Sequence, residues 1–238
     1  MSKTDNHNKY YLNSKGERVM RVSEVIKILA KDQLITWANM LGFKHIDYKQ
    51  ELERTANIGS LCHDVLENYF DKNRLAVIDY DEFNITDYGD KKEVVNALDS
   101  FFRWYKHMRK TRTYKIKFTE FVIVGENLGG TIDCAIEGWD DPDKVIFVDY
   151  KTSKSFYLTQ FLQLAAYVML YEEVHGKNTI EGIMIVRLEK RKDKDAEAWF
   201  IHRDNLDPFI TCFQCMFDTA RGTKILNHHL RSMVERVA

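Results

Sequence analysis

The sequence predicts an α/β protein in which a mixed central sheet is flanked by helices. Two segments rich in Val, Ile and Phe, residues 128–139 and 145–151, flank an Asp/Pro turn and are typical of neighbouring strands. A helical run follows at 157–171, and residues 179–188 again have the composition of a strand. Strands and helices that follow one another in this way favour a sheet covered by helices.

The N-terminal half is predicted to be mainly helical. An extended hairpin is expected at 10–21 with its turn at 13–16, and Ser23 is expected to be the N-cap of the first helix. The remaining predicted elements are a second helix ending at Gly42, a long helix from about 48 to 70, an acidic loop at 79–90 and an amphipathic helix at 91–109.

The C-terminal half supplies the rest of the predicted sheet. The first strand is expected at 115–124, with a turn at 127–130 leading into the second strand. The charged run 189–197 is predicted to be a hairpin tip, 198–203 its return strand, and Asp207 the start of a terminal helix. No repeat or linker divides the chain, so we expect one domain, 1–238. Its parts are a mainly helical segment 1–112, the sheet with its helix at 113–204, and a terminal helix at 205–238.

Composition limits the classes of function. With 238 residues, 45% of them hydrophobic, the chain can bury a sizeable core. No apolar run approaches the roughly 18 residues of a membrane span, and the polar start lacks the apolar region of a secretory signal. We therefore expect a cytoplasmic or nucleoid-associated protein with reduced cysteines. A net charge of −1 gives no overall attraction to nucleic acid, so any such contact requires a local basic surface.

Two acids and a lysine occupy the predicted sheet in positions that packing does not explain. Asp149 and Lys151 end an apolar strand, and residues two apart on a strand share a face at a spacing of about 7 Å. Burying such charges without partners is costly. Asp133 on the neighbouring strand suggests the partner, a divalent cation held by oxygen ligands. Two carboxylates, a lysine and a metal ion form a set suited to phosphodiester cleavage.

The motifs around these residues resemble those of a known family. Gly130-Thr131-Ile132-Asp133, then Asp149-Tyr150-Lys151, then Gln163 followed four residues later by Tyr167 are similar to the GxxD, DxK and QxxxY motifs of the RecB-type branch of the PD-(D/E)XK nuclease superfamily. Ile132 stands where the family name has Pro. The segment 22–42 resembles the start of phage exonucleases and the mitochondrial genome-maintenance exonuclease. The resemblance implies a restriction-endonuclease-like fold with an N-terminal helical layer over the active site.

The resemblance also implies a metal site. Asp133, Asp149 and the backbone carbonyl of Tyr150 would bind Mg²⁺ or Mn²⁺, and Lys151 would orient or help to deprotonate the attacking water. His63 would be a further metal ligand, because Gly59, His63 and Glu67 are similar to the Gly-x-x-x-His-x-x-x-Glu helix of this branch. A lone helical histidine is otherwise more often a packing residue.

Further residues receive supporting roles from the same resemblance. Gln163 and Tyr167 would form hydrogen bonds to the site, Glu120 would support the metal through water, and Glu67 would support His63. Nucleic-acid contacts are expected from Gly59, which would let DNA approach closely, and from Thr152, Ser153 and Gln160. For Gln160 and Glu120, an ordinary solvated position is the alternative.

Cysteines and basic residues are further candidates for functional sites. Some relatives carry a four-cysteine iron–sulfur cluster, but Cys62 and Cys134 adjoin the proposed ligands and only Cys212 and Cys215 lie near the C-terminus, so a cluster is not expected. Five cations between 106 and 115 are interleaved with aromatic residues, a composition that suits single-stranded DNA; a solvated charged face is the alternative. The cations are Lys106, Arg109, Lys110, Arg112 and Lys115, and the aromatic residues are Trp104, Tyr105 and Tyr114.

These observations favour a divalent-metal-dependent DNA exonuclease that acts on single-stranded or end-containing DNA in replication, recombination or repair. A phage-infected bacterial cell is the expected setting. The alternatives are a structure-selective endonuclease, a nuclease subunit of a helicase complex, or a catalytically silent DNA-binding module. No GxxxxGK[ST] motif occurs, so unwinding would require a helicase partner; a recombination or single-strand-binding protein is another expected partner.

Overall fold

Six strands and six α-helices form the described part of the chain, which comprises residues 10–29, 32–72 and 78–233 of a computed structural model. The strands are β1 (Met20–Arg21), β2 (Ile116–Val124), β3 (Leu128–Glu137), β4 (Val145–Lys151), β5 (Ile180–Arg187) and β6 (Glu197–His202). The helices are α1 (Val22–Ile26), α2 (Asp32–Phe43), α3 (Tyr48–Lys72), α4 (Tyr88–Met108), α5 (Leu158–His175) and α6 (Asp207–Met233). Among these helices, none has the length and apolar character needed to cross a bilayer.

The strands form one mixed sheet, which confirms the predicted fold class. Strand β3 lies beside β4, which is followed by β5 and β6, and the pairs β1–β3 and β4–β5 are parallel. The pairs β2–β3, β3–β4 and β5–β6 are antiparallel. The connection between the parallel strands β4 and β5 contains α5, as parallel neighbours require a crossover.

Two strands, β1 and β4, pair with the same edge of β3 and leave a gap between them. Gly129 pairs with both Val124 of β2 and Arg21 of β1, so β1 and β2 lie on opposite edges of β3. Cys134 pairs with both Thr119 of β2 and Val148 of β4, so β4 lies on the same edge as β1. Residues 130–133 of β3 face the opening between β1 and β4.

The two faces of the sheet carry separate cores. On one face α1 and α5, together with α6, cover a core that includes Leu162 and Phe213. On the other face α3 and α4 cover a core that includes Leu66 and Phe101. The predicted N-terminal helical layer is thus divided: α3 and α4 lie on one face, whereas α1 packs with α5 and α6 on the other.

Element boundaries differ from the predicted ones for identifiable reasons. The expected hairpin is present, with a bridge between Leu12 and Arg18. Arg21, not Ser23, is the N-cap of α1. Helix α4 begins three residues before the predicted 91 because the Asp87 carboxylate caps it, accepting hydrogen bonds from the backbone N–H groups of Gly89 and Asp90.

One expectation about the connection between β2 and β3 was wrong. The predicted turn at 127–130 lies earlier, where Gly125 N donates to Leu128 O at 2.9 Å, and 128–130 already belong to β3. Helix α5, which carries Gln160, Gln163 and Tyr167, is buried almost all round between the sheet and α6.

Gly182→Ala is expected to destabilise the protein by about 2 kcal/mol, because overpacking strains a closed site. A Cβ atom at this position of β5 would lie 2.5 Å from the carbonyl oxygen of Ile201 and 2.7 Å from the Phe200 ring. Thermal unfolding should show a Tm lower by about 5 °C. Gly222→Ala on α6 is the matched control, since no atom lies within 4 Å of the added carbon and the Tm should not fall. Equal Tm values for the two variants would contradict this account of β5.

Candidate active site

The site lies where β3 and β4 separate. Their ladder ends at the pair Cys134 and Val148, and the next pair in the same register would be Asp133 and Asp149. The side chains of β3 change faces at this point. Ile132 lies in the core under α5, whereas Cys134, two residues later, lies in the core under α3 and α4. Asp133 therefore occupies the fork beside Asp149, at one end of the gap on β3.

Lys151 is held against Asp149 as the strand alternation predicts. Its Nζ lies 2.7 Å from Asp149 Oδ1 and 2.6 Å from Oδ2, while Val148 and Tyr150 point into the opposite core. Burial alone would lower the pKa of Lys151, but the charges of Asp149 and Asp133 outweigh it and hold the pKa above its ordinary value. The ammonium group is therefore charged at neutral pH.

The Asp149 carboxylate is almost completely buried, with 1% of its surface exposed. Burial raises its pKa to about 7; Lys151 opposes this shift, and the neighbouring charge of Asp133 adds to it. Asp133 Oδ2 is a buried oxygen that makes no hydrogen bond within the described residues, whereas Asp149 Oδ2 is ion-paired with the Lys151 ammonium group at 2.6 Å. The charge of Asp133 raises the pKa of Asp149, so the two carboxylates repel each other and a further cation beside them would be stabilising.

His63 reaches the same fork from α3. Its Nε2 lies 2.6 Å from the carbonyl oxygen of Tyr150, which can only accept, so Nε2 carries the proton. Burial, with the charge of Lys151 adding to it, lowers the pKa of His63 to about 4, so the ring is neutral at pH 7. Its Nδ1 lone pair therefore faces Asp133 Oδ2 at 3.3 Å. Two acceptors that face each other in this way favour a shared cation.

These groups are suitable ligands for a divalent metal ion, but they are not already arranged around one metal position. No group of three or more His, Cys, Asp or Glu side chains is arranged as a metal site anywhere in the described ranges. Lys151 holds both oxygens of Asp149, so one of them would have to turn to an incoming ion. The Tyr150 carbonyl, predicted to be a ligand, accepts the His63 hydrogen bond and has its second lone pair left for an ion.

Gln163 and Tyr167 lie on α5 beside the acids. Gln163 Nε2 donates to Tyr167 Oη at 3.1 Å. Burial raises the pKa of Tyr167, and the charges of Asp133 and Asp149 raise it further, so the phenol stays protonated and can act as a donor. Gly130 makes room for this ring, because a Cβ there would lie 2.4 Å from Tyr167 Cε1. The glycine of the GxxD motif thus has a packing role.

Glu120 occupies a strained position opposite the fork. It lies between the pairs Thr119–Cys134 and Phe121–Ile132, hence across from Asp133, and its φ is 45°. A non-glycine residue in this region costs on the order of 1–3 kcal/mol and is often found at functional sites. Glu67 lies one turn after His63 on α3, on the same side of the helix.

The residues predicted to contact nucleic acid have partners inside the protein. Gly59 lies against Thr152, whose Oγ1 would be 3.2 Å from an added Cβ, so the glycine allows α3 to approach the connection between β4 and α5. Gln160 is buried, accepts from Tyr157 N at 3.0 Å and donates to Ser153 Oγ at 3.0 Å. The structure therefore gives Gln160 a capping and positioning role at the start of α5.

The basic and aromatic residues between 104 and 115 do not form the expected surface for single-stranded DNA. Tyr105 and Tyr114 are buried, and Tyr114 Oη lies 2.9 Å from Tyr150 Oη, so these rings cannot stack on bases. Lys115 pairs with Glu137 at 2.7 Å. Cys212 and Cys215 are exposed on α6.

One contact at the gap was not predicted from the sequence. Tyr11 Oη lies 2.8 Å from Thr131 Oγ1, so the N-terminal hairpin is fixed beside the residues that precede Asp133. A Cβ on Gly129 would lie 2.8 Å from Tyr11 Cβ, which shows how closely the hairpin approaches β3. No local signal marks Tyr11, because its partner is 120 positions away.

The chain is similar to one protein family and to several solved structures. The family model of the PD-(D/E)XK nuclease superfamily matches residues 39–225. No curated protein matches the chain at a significant level. A solved structure of a candidate exonuclease from Eubacterium rectale is similar, with 12% identity, a TM-score of 0.43, and coverage of 69% of this chain and 68% of that one. The structure of SSO0001 has 12% identity and a TM-score of 0.30, covering 70% and 74% of the two chains.

Proposed function

The chain belongs to the PD-(D/E)XK nuclease superfamily, whose family model spans residues 39–225, and from this we propose that it is a divalent-metal-dependent DNA exonuclease. Its proposed substrate is single-stranded or end-containing DNA. The observation that supports the proposal is the convergence of Asp133, Asp149, Lys151 and His63 at the fork between β3 and β4.

The proposed metal ligands are Asp133, Asp149, the neutral His63 ring and the Tyr150 carbonyl. Oxygen ligands with one imidazole suit Mg²⁺ or Mn²⁺. Such an ion, when bound, polarises the scissile phosphate and lowers the pKa of a coordinated water. The structural features that support this ligand set are the buried Asp133 Oδ2, which makes no hydrogen bond within the described residues, and the His63 Nδ1 that faces it at 3.3 Å.

The protein side chains orient the reacting groups. Lys151 is charged and fixed by Asp149, so its ammonium group can position the attacking water and stabilise the charge that develops on the phosphate oxygens. Tyr167, kept protonated and held by Gln163, can donate a hydrogen bond within the same site. The Tyr150 carbonyl fixes the orientation of the His63 ring.

The elements around the gap support a preference for strand ends. The N-terminal hairpin closes one end of the gap through β1 and the Tyr11–Thr131 contact. Helix α3 approaches from the other face of the sheet through His63. An opening bounded on both sides favours a flexible single strand or a free end over the interior of a stiff duplex.

Digestion of labelled DNA tests the proposal directly. Linear single strands, labelled at either end, should be shortened progressively with Mg²⁺ or Mn²⁺, whereas EDTA should stop the reaction because the carboxylates would lack their ion. Circular single strands should remain intact, and the product lengths from the two labels give the polarity. Cleavage of the circles would indicate an endonuclease instead. Binding of DNA without shortening it would identify a silent binding module.

A further inference from the structure

Two rows of side chains cross the sheet beside the site. Asp149 pairs with Ile185, and Ile185 pairs with Trp199 of β6. Cross-strand partners point to the same face, so Trp199 shares the face of Asp149. Two strand spacings place it about 10 Å from Asp149. In the next row, Lys151 pairs with Arg187 and Arg187 with Glu197.

Trp199 has an exposed indole ring that is held in place. Trp199 exposes 50% of its surface to solvent. Its ring stacks on Phe156 with centroids 4.4 Å apart and planes at 17°, and its Nε1 donates to Glu197 Oε1 at 3.0 Å. A ring that is fixed on one side and open to solvent on the other is pre-organised for stacking. We call Phe156 and Trp199 the aromatic platform.

The platform is joined to the site by a short connection. Phe156 lies five residues after Lys151, between β4 and α5. The Arg187 guanidinium lies 5.8 Å from the Phe156 ring and is paired with Glu197 and Glu189, at 3.1 and 3.3 Å. Because the one cation is paired with two acids, the surface beside the platform favours the apolar face of a base over a phosphate group.

We propose that the aromatic platform stacks an unpaired base of the DNA strand whose phosphate lies at Asp133 and Asp149. This inference rests on the proposed nuclease function and specifies how the substrate is recognised. A base in a duplex is already stacked and paired, so the platform selects single-stranded DNA near the cleavage point. Stacking on an aromatic ring contributes about 1–3 kcal/mol per base and tolerates any base.

Binding of two oligonucleotides to two Trp199 variants tests the platform. Oligo-dT and an abasic oligonucleotide of equal length are titrated by fluorescence anisotropy with Ca²⁺ in place of Mg²⁺, and cleavage is measured separately with Mg²⁺. Trp199→Ala should bind oligo-dT about tenfold more weakly and bind the abasic strand as the wild type does. Trp199→Phe should retain most of the affinity, because it keeps a ring. Tyr88→Ala removes an exposed ring from α4 and should leave both affinities unchanged.

Either of two results would contradict the proposed base-stacking role of the aromatic platform. One is wild-type affinity of Trp199→Ala for oligo-dT; the other is an equal loss on the abasic strand, which would indicate a general structural defect. The two proposals fail separately. If the wild type binds oligo-dT but cuts nothing, while Trp199→Ala loses binding, the nuclease proposal fails and the base-stacking site remains.

Discussion

Lys151→Ala is expected to lower the rate of DNA cleavage by about a thousandfold while DNA binding persists. A charge-stabilising donor in a water-poor site contributes about 10²- to 10³-fold to the rate, and Lys151 is also the group placed to orient the attacking water. Its Nζ lies within 2.7 Å of Asp149 and is charged at neutral pH. Single-turnover digestion of end-labelled DNA gives the rate, and anisotropy gives the affinity.

Two controls separate a catalytic defect from a folding defect. Removing Lys151 leaves the buried Asp149 without its cation, so circular dichroism and the Tm must accompany the rates. Lys151→Gln keeps a polar donor of similar length and should fold well but remain slow. Lys177→Ala removes an exposed lysine just after the C-terminal end of α5 and should cleave at the wild-type rate. Full activity of folded Lys151→Ala would exclude the role assigned to this amine.

Asp149→Asn is expected to abolish cleavage and to make the metal-free protein more stable at neutral pH. The folded-state pKa of Asp149 is raised to about 7 from 3.8, chiefly by burial. Well below pH 4 the carboxyl is protonated in both the folded and the unfolded state, so stability does not change with pH through this group. As pH rises from about 4 to 7, the unfolded chain releases this proton more readily than the folded one, so the stability of the metal-free protein falls. The neutral amide avoids this loss, and the charge of Asp133 remains to support the charged form of Lys151.

The size of this effect can be measured by thermal unfolding in EDTA. On the order of 2 kcal/mol is expected for a carboxylate in this environment, which corresponds to a Tm about 5 °C higher for Asp149→Asn at pH 8. Mn²⁺ should raise the Tm of the wild type and leave that of the variant nearly unchanged, because a ligand has been lost. Asp143→Asn, at an exposed turn, should match the wild type in both respects. A Tm of Asp149→Asn below the wild-type value in EDTA would refute the conclusion that the buried Asp149 carboxylate destabilises the metal-free protein.

The strands of the site were predictable because their signals are local. The alternation of Val148, Asp149, Tyr150 and Lys151 determines which side chains share a face, and the structure places them accordingly. The position of α5 was also predicted, but not its burial, since nothing local shows that α6 covers its second side. Gln160 was misjudged for the same reason. Its amide is used inside the protein by Ser153 and Tyr157.

The sequence by itself determined the central chemistry: two acids and an amine on neighbouring strands, because strand periodicity and turn residues act over a few positions. Only the tertiary structure decided that β3 and β4 separate at Asp133 and that the Nδ1 of His63 faces that acid. It also decided that Trp199 lies on the face of Asp149. These features depend on strand register and on contacts between residues far apart in the chain. A shift of one residue in register would turn each of these side chains to the other face, and that register is fixed by burial of the two cores.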